Sequence, residues 1–282
     1  MTNDRRLWAD LTTEDVADLA KDRTVVVQPI GAVEQHGPHL PLITDALTAE
    51  TIARTAVRRL GPDSGTWVLP TLHYGKSTEH LGRPGTIAMS ANTLLSVCLD
   101  LGESLAACGV RKLVFVNGHG GQPSLLDVVS RDIRHRFGLE VFSLMPSRFG
   151  LPDGVEDPDP FGIHGGFVET SLVMAIAPEL VRLDRAVADG LAAGAFYRAQ
   201  RHLTLEGVVP TAWLIDDVSA SGVVGDPTGA DARTGELLLD HWSGLLAEAL
   251  TEVRDFAFPR LAEPLPAPLG GPLPVPHDGS TV

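Results

Sequence analysis

A group of potential metal ligands follows the first strongly apolar segment of the chain. Glu34 and His36 are separated by one residue, and Asp45 comes a few residues later. In an extended backbone, alternate side chains point to the same side, so Glu34 and His36 can grip one metal ion or two neighbouring ions. Carboxylates and imidazoles are ligands that Zn²⁺, Mn²⁺ and Fe²⁺ accept. The residue types and their spacing therefore predict a divalent metal site in this loop.

A further candidate ligand, His119, stands in a glycine-rich turn after another apolar segment. The turn reads NGHGG from Asn117 to Gly121. A carboxylate such as Asp45 can bridge two ions about 3.5–4 Å apart, and water held between two such ions becomes a nucleophile near neutral pH. We therefore expect a divalent metal cofactor, with two ions per protomer. The ligands predicted from the residues are Glu34, His36, Asp45 and His119.

These side chains need a scaffold that brings distant segments together, and the order of apolar segments supplies it. Predicted strands at 24–30, 67–72, 112–116 and 139–145 alternate with predicted helices at about 46–60, 91–108, 123–137, from 168 onward, and 234–253. This alternation is typical of an α/β fold, a three-layer α/β/α sandwich with a mostly parallel central sheet. Ligands in such sheets bind beyond the carboxyl ends of the strands, where both candidate loops begin.

Length and composition predict the domain organisation and disfavour some partners. A chain of 282 residues with 44% hydrophobic residues can form one large domain, which we predict over 1–257, followed by a Pro-rich, flexible tail over 258–282. The net charge of -14 disfavours binding to nucleic acid or to an anionic membrane. No segment reaches the roughly 18–20 apolar residues of a membrane span, so we expect a cytoplasmic protein.

Other polar residues have both a structural and a functional interpretation. His39, His73 and His80 lie in loops, where a histidine is usually structural or solvated, although His73 and His80 can also line a substrate pocket. Gly120 and Gly121 can form a tight turn, and they can also let a substrate approach the backbone. NGHGG lacks the patterns of a nucleotide-binding loop.

Four sequence blocks together resemble the creatininase (creatinine amidohydrolase) family over about residues 25–240. They are PIGAVEQHGPHLPLITD, STEHLGRPGT, FVNGHGGQ and GIHGGFVETSLVMAI. The resemblance implies a creatininase-like α/β/α fold, a homohexamer, and a metal-dependent amidohydrolase that acts on cyclic or non-standard C–N bonds. It also implies Glu34, Asp45 and His119 around one ion, with His36 and Asp45 on the second.

The resemblance implies further site residues and also shows departures from the family. His164 matches a histidine that handles protons near the leaving nitrogen, but Ile163 replaces its acidic neighbour. Gly121 stands where creatininase has a metal-binding glutamate, so Glu169, water or a single-ion site must compensate. Glu169 opens a predicted helix, where a carboxylate also suits the helix dipole. The tryptophan-containing loop that encloses creatinine has no clear counterpart between 148 and 161, which disfavours creatinine as substrate.

These observations predict a hydrolase that cleaves an amide or cyclic amide bond of a small molecule through metal-activated water. His164 and Glu169 are the predicted catalytic residues, and Glu169 is also a candidate metal ligand. Gly120, Gly121 and His80 are the predicted substrate-binding residues. Alternatives are a peptidase that trims a mycofactocin-type precursor peptide, a deformylase acting on an aminopyrimidine, and a non-catalytic metal-binding family member. A dinucleotide-binding enzyme is disfavoured.

Overall fold

A four-stranded parallel sheet forms the centre of the computed structural model, which describes residues 6–158 and 161–258. Its strands are β1 (Val25–Ile30), β2 (Thr66–Val68), β3 (Lys112–Asn117) and β4 (Glu140–Leu144). The strand order is β2-β1-β3-β4, and every neighbouring pair is parallel. Because Ile30 is paired with Asn117, the carboxyl ends of β1 and β3 lie side by side.

Helices cover both faces of this sheet, so the predicted three-layer α/β/α architecture is confirmed. The α-helices of the described residues are α1 (Thr13–Asp18), α2 (Thr44–Arg59), α3 (Ala91–Ala107), α4 (Pro123–Phe137), α5 (Phe167–Ile176), α6 (Leu191–Arg198), α7 (Ile215–Val218) and α8 (Ala232–Asp255). On one face of the sheet, Val25 and Val27 of β1 share a hydrophobic core with α2, α5 and α8, and on the other face Val26 and Ile30 pack with α3 and α4. Successive residues of a strand point to opposite faces, so β1 is buried on both sides.

Two predicted regions differ from the observed structure. The predicted strand 67–72 ends at Val68, because Pro70 has no N–H for the sheet, although an isolated bridge still joins Leu72 to Ile30. The segment 203–233, which was not assigned, contains α7 and a separate pair of short strands, β5 (Leu203–Thr204) and β6 (Val209–Pro210). The predicted tail lies outside the described residues except for Phe258. None of the described helices is long and apolar enough to cross a membrane.

Two glycines bring the start of α2 against the ends of β1 and β3. A Cβ atom at Gly31 would lie 2.2 Å from the Ala46 nitrogen, and one at Gly118 would lie 2.3 Å from the Asp45 carbonyl oxygen. A side chain at either position would push the helix away from the sheet. These close approaches hold Asp45, in the first turn of α2, directly over the carboxyl edge of the sheet.

Candidate metal centre

Three of the predicted ligands converge at this edge. Glu34 follows β1, Asp45 opens α2 and His119 follows β3, and all three are buried. Their ligand atoms lie within 4.8 Å of one another. His119 Nδ1 is 3.3 Å from Glu34 Oε1 and 3.2 Å from Asp45 Oδ2. The structure therefore brings together the three residues expected around the first ion.

The hydrogen bonds of His119 determine which of its nitrogens can bind a metal. Its Nε2 is 2.9 Å from the Lys76 carbonyl oxygen, to which it donates, so the lone pair of the neutral ring is on Nδ1. That lone pair faces two carboxylates, and Asp45 Oδ2 has no hydrogen-bond partner among the residues that the structure describes. Electron pairs from three groups thus meet at one point, where a divalent cation would satisfy them.

His36 has a similar arrangement on the other side of Asp45. Its Nδ1 lies 3.1 Å from the carbonyl oxygen of Glu34 and donates to it. Its Nε2 then faces Asp45 Oδ1 at 3.1 Å and Glu169 Oε2 at 3.9 Å. Asp45 therefore presents one oxygen to each imidazole, as a carboxylate that bridges two ions would.

The electrostatics of the centre favour positive charge. Burial disfavours the charged form of both imidazoles, but the carboxylates outweigh it. Asp45 makes the largest contribution to raising the pKa of His36 to about 10. Glu34 makes the largest contribution to raising the pKa of His119 well above its usual range. A bound cation would replace the protons that these rings otherwise hold.

His164 lies between the rings of His36 and His80, with ring centroids 4.2 Å and 4.3 Å away. Its Nε2 donates to the carbonyl oxygen of Gln35 at 2.7 Å, so Nδ1 faces the centre. Burial and then the charge of His36 lower the pKa of His164 to about 3. His164 is therefore neutral near neutral pH and must take up a proton before it can give one to a leaving nitrogen.

Glu169 combines the two interpretations that the sequence left open. It stands in the first turn of α5, and its Oε2 accepts a hydrogen bond of 2.6 Å from the Gly165 backbone. It also lines the cavity and belongs to a cluster with His36 and His164 that could hold an ion. Burial raises the pKa of Glu169 to about 7, His36 opposes this, and the Asp45 carboxylate adds to it.

The remaining candidates separate into residues near the cavity and residues away from it. His80 lines the cavity, stacks on His164 and meets the edge of Trp213 with ring centroids 5.9 Å apart. Gly120 and Gly121 also line it. His39 instead contacts Thr170 Oγ1 at 2.9 Å, and neither it nor the other ambiguous histidine, His73, lines the cavity.

The cavity leads from the cluster toward a second, more open groove. The inner cavity has a volume of about 340 Å³ and the groove about 620 Å³. Both are lined by the residues where they meet: Glu79, Gly120, Gly121, Glu206 and Trp213. The groove therefore adjoins the cavity along these residues.

Several residues that hold the ligands in place were missed from the sequence. Gln35 Nε2 lies 2.9 Å from His80 Nδ1 and donates to the Gly222 carbonyl oxygen at 3.0 Å, and the Gln35 carbonyl oxygen accepts from His164. The Ser77 hydroxyl donates to Glu34 Oε2. Glu79 Oε1 lies 3.3 Å from His119 Nε2. Their positions in the sequence could have indicated them. Gln35 lies between Glu34 and His36 in EQH, and Ser77 and Glu79 precede His80 in STEH, so each is close to a predicted site residue.

Asn117 orients the turn that carries His119. Its side-chain nitrogen donates to the His119 carbonyl oxygen at 2.7 Å, and its oxygen accepts from the His119 backbone at 3.1 Å. Gln122 Nε2 donates to the same Asn117 oxygen at 2.9 Å. These contacts fix the direction in which the imidazole leaves the turn.

A parallel α/β sheet with carboxylates and imidazoles gathered at the carboxyl ends of its strands defines a metal-binding class of α/β protein. The chain belongs to the creatininase family, because the family model for creatinine amidohydrolase matches residues 9–250. This is a family of hydrolytic enzymes.

Relatives with assigned activities differ in their substrates. The chain is 35% identical to a mycofactocin precursor peptide peptidase of Mycolicibacterium smegmatis, over 75% of this chain and 78% of the relative. It is 33% identical to a creatinine amidohydrolase of Pseudomonas putida, over 61% and 71%. A 3-dehydro-scyllo-inosose hydrolase of Thermotoga maritima is 25% identical, over 85% and 82%.

Solved structures share the fold. A manganese form of creatininase superposes with a TM-score of 0.68 at 29% identity, over 88% of this chain and 98% of that chain. A putative creatinine amidohydrolase of Bacteroides fragilis has a TM-score of 0.71 at 26% identity, over 90% and 98%. The resemblance seen in the sequence is thus confirmed at the level of family and fold.

Proposed function

We propose that the protein is a metal-dependent hydrolase that cleaves an amide bond of a peptide, and that its substrate is a precursor peptide of the mycofactocin type. The observation that carries the hydrolytic part is the convergence of Glu34, Asp45 and His119 within 4.8 Å. A divalent cation held there, with a second beside His36, would supply Lewis-acid activation of water and of the scissile carbonyl group.

Residues of the chain itself would handle the protons. Glu169, with its pKa raised to about 7, suits the acceptance of a proton from the attacking water. Protonated Glu169 can then deliver that proton to the departing nitrogen. His164 belongs to the same cluster within 4.8 Å, and its neutral Nδ1, with the pKa lowered to about 3, would accept a hydrogen bond from the departing N–H group and so orient it.

Two observations favour a peptide as the substrate. The inner cavity adjoins a groove of about 620 Å³, which would give room for residues on either side of a scissile bond. The 35% identity to a mycofactocin precursor peptide peptidase points to the same class of substrate.

A small-molecule amide is the second candidate, and the size of the inner cavity supports it. A volume of about 340 Å³ suits a compact ligand, and the Pseudomonas putida relative is a creatinine amidohydrolase. In this case the groove would serve as an entrance only. The two candidates share the metal centre and differ in what occupies the groove.

The test compares both substrate classes on one metal-loaded preparation. A synthetic precursor peptide of the mycofactocin type, before and after modification by its maturase, is incubated with the protein in parallel with creatinine and other cyclic amides. Mass spectrometry then identifies the products, and Asp45→Asn serves as the inactive control. Cleavage of the peptide alone supports the proposal, and hydrolysis of a small amide alone supports the second candidate. Turnover of neither by protein with bound metal would favour a non-catalytic family member.

The proposal extends to the assembly, for which we propose a homohexamer. Large apolar side chains are exposed on the described protomer, among them Val208 at 91%, Ile87 at 57% and Phe196 at 56%. Contact between protomers would remove such side chains from water. The expected partners are therefore other copies of this chain and the amide substrate.

A further inference from the structure

The space beside Gly121 is filled by a carboxylate from another segment. A Cβ atom at Gly121 would lie 1.7 Å from Glu79 Oε1 and 2.5 Å from His119 Nε2. Neither distance is compatible with a real side chain. Glu79 can therefore reach the imidazole only because residue 121 has no side chain. The absence of a carboxylate at position 121 and the presence of Glu79 beside His119 thus have the same structural cause.

Glu79 contacts the edge of the His119 ring that faces away from Glu34 and Asp45. Nδ1 of the ring faces Glu34 and Asp45, whereas Nε2 lies 3.3 Å from Glu79 Oε1 and 2.9 Å from the carbonyl oxygen of Lys76. An ion bound at Nδ1 would therefore be on the opposite side of the ring from Glu79. This position suits an outer carboxylate whose negative charge, beside the Lys76 carbonyl oxygen, stabilises the proton on Nε2, and it does not suit a ligand of the same ion.

We propose that Glu79 is a positioning residue of the metal centre, which holds His119 in the tautomer and orientation that present Nδ1 to the ion, and that Gly121 admits it. The inference rests on the proposed function only in requiring that the centre binds metal. It does not depend on which amide is cleaved.

The loop that carries Glu79 is itself held in place. Lys76 Nζ donates to Glu79 Oε2 at 2.7 Å, which leaves Oε1 to face His119. In the same loop, the Ser77 hydroxyl donates to Glu34 Oε2. Residues 76–79 thus contact Glu34 and His119, two of the three candidate ligands of the first ion. A substitution in this loop should therefore alter metal affinity by moving these ligands.

The test measures metal affinity on metal-free protein, with competition between the protein and a chromophoric chelator for Co²⁺. Loss of such an outer partner commonly weakens metal binding about 10–100-fold, which we expect for Glu79→Ala. Glu79→Gln keeps the shape and one accepting oxygen, so a smaller loss is expected. The visible spectrum of bound Co²⁺ should also change in both variants. Glu50→Gln is the charge control, because Glu50 pairs with Arg54 on α2 and does not line the cavity, and it should leave the affinity at the wild-type value.

A matched pair of glycine variants tests the steric part. Gly121→Ala should weaken Co²⁺ binding at least as much as Glu79→Ala, because its Cβ displaces the carboxylate and presses on His119. Gly120→Ala is the control, since its Cβ would meet only Glu206 Oε1 at an ordinary 3.8 Å. Melting of each metal-free variant verifies folding.

The outcomes separate this inference from the proposed function. Wild-type affinity and an unchanged Co²⁺ spectrum in folded Glu79→Ala and Glu79→Gln would overturn the positioning role. Wild-type affinity in folded Gly121→Ala would overturn the steric role. A wild-type protein that binds no Co²⁺ would instead overturn the proposed metal-dependent function. An ion pair that only joins Glu79 to Lys76 would change the melting temperature and leave the metal affinity and the spectrum intact.

Discussion

Replacing Asp45 by Asn should remove most of the metal affinity, because this carboxylate serves both candidate metal positions. Its Oδ1 lies 3.1 Å from His36 Nε2, and its Oδ2 lies 3.2 Å from His119 Nδ1. The side chain is 3% exposed, so water cannot take over the lost negative charge. Asn has nearly the same shape, but its amide nitrogen carries hydrogens that repel a cation.

The magnitude follows from the electrostatic field at His36. Raising its pKa from 6.5 to about 10 corresponds to about 5 kcal/mol in favour of a positive charge. Asp45 makes the largest favourable contribution against an opposing effect of burial, so its loss should cost on the order of 2–3 kcal/mol of this. Such a free energy is a loss of about 30–150-fold in affinity for a unit charge, and a divalent ion should lose at least as much.

The assay titrates metal-free protein with Zn²⁺ at neutral pH against a chromophoric chelator, and counts bound ions by elemental analysis. Glu50→Gln is the matched control, because Glu50 lies on the same helix but pairs with Arg54 at 2.7 Å. We expect wild-type affinity in this control and weakened binding at both positions in Asp45→Asn. If folded Asp45→Asn bound both ions as tightly as the wild type, the bridging geometry would be refuted.

Four further predictions concern His36, His39, Gly118 and the assembly. Metal affinity should rise with pH up to about 10, because the pKa of metal-free His36 is raised to about 10 and the ion must displace that proton. The expected slope is about tenfold per pH unit for each proton displaced, and calorimetry in buffers of different ionisation enthalpy measures the number of protons released. Metal-free protein should lose stability as pH falls from 6.5 toward about 4. Burial lowers the pKa of His39 to about 4 in the folded protein, so the unfolded chain binds the proton at a higher pH than the folded chain does. Urea unfolding across this range should show a smaller pH dependence for His39→Asn than for the wild type. Gly118→Ala should cost about 1–3 kcal/mol or more in unfolding free energy and weaken metal binding, since its Cβ would lie 2.3 Å from the Asp45 carbonyl oxygen; wild-type values of both would contradict the close packing. Light scattering should give six times the 29.9 kDa protomer mass, and a monomer at all concentrations would contradict the hexamer.

Local sequence signals predicted those parts of the fold that depend on local physical chemistry. The helix expected over 123–137 has these bounds, because Pro123 suits its first turn and Gly138 ends it with a φ of 73°. The apolar segment of β1 predicted a strand buried on both faces. The short elements between 203 and 218 gave no such signal, because two-residue strands and a four-residue helix carry too little periodicity to be seen.

The candidate site divides in the same way. Glu34, Asp45 and His119 follow or face strand ends, so residue type and strand order were enough to bring them together. The outer contacts of Glu79 depend on how a loop closes over the sheet edge, which has no local pattern. The sequence shows that Gly121 stands where creatininase has a metal-binding glutamate, but only the three-dimensional structure relates that difference to Glu79.

The amount of metal bound per protomer tests the central claim most directly. The protein is purified without chelators, resupplied with Zn²⁺, Mn²⁺ or Fe²⁺, freed of excess metal, and measured by elemental analysis. The arrangement of His36 and His119 on either side of Asp45 predicts about two ions per chain. A single ion would contradict the bridging role of Asp45, and no bound metal after resupply would contradict the metal-dependent function itself.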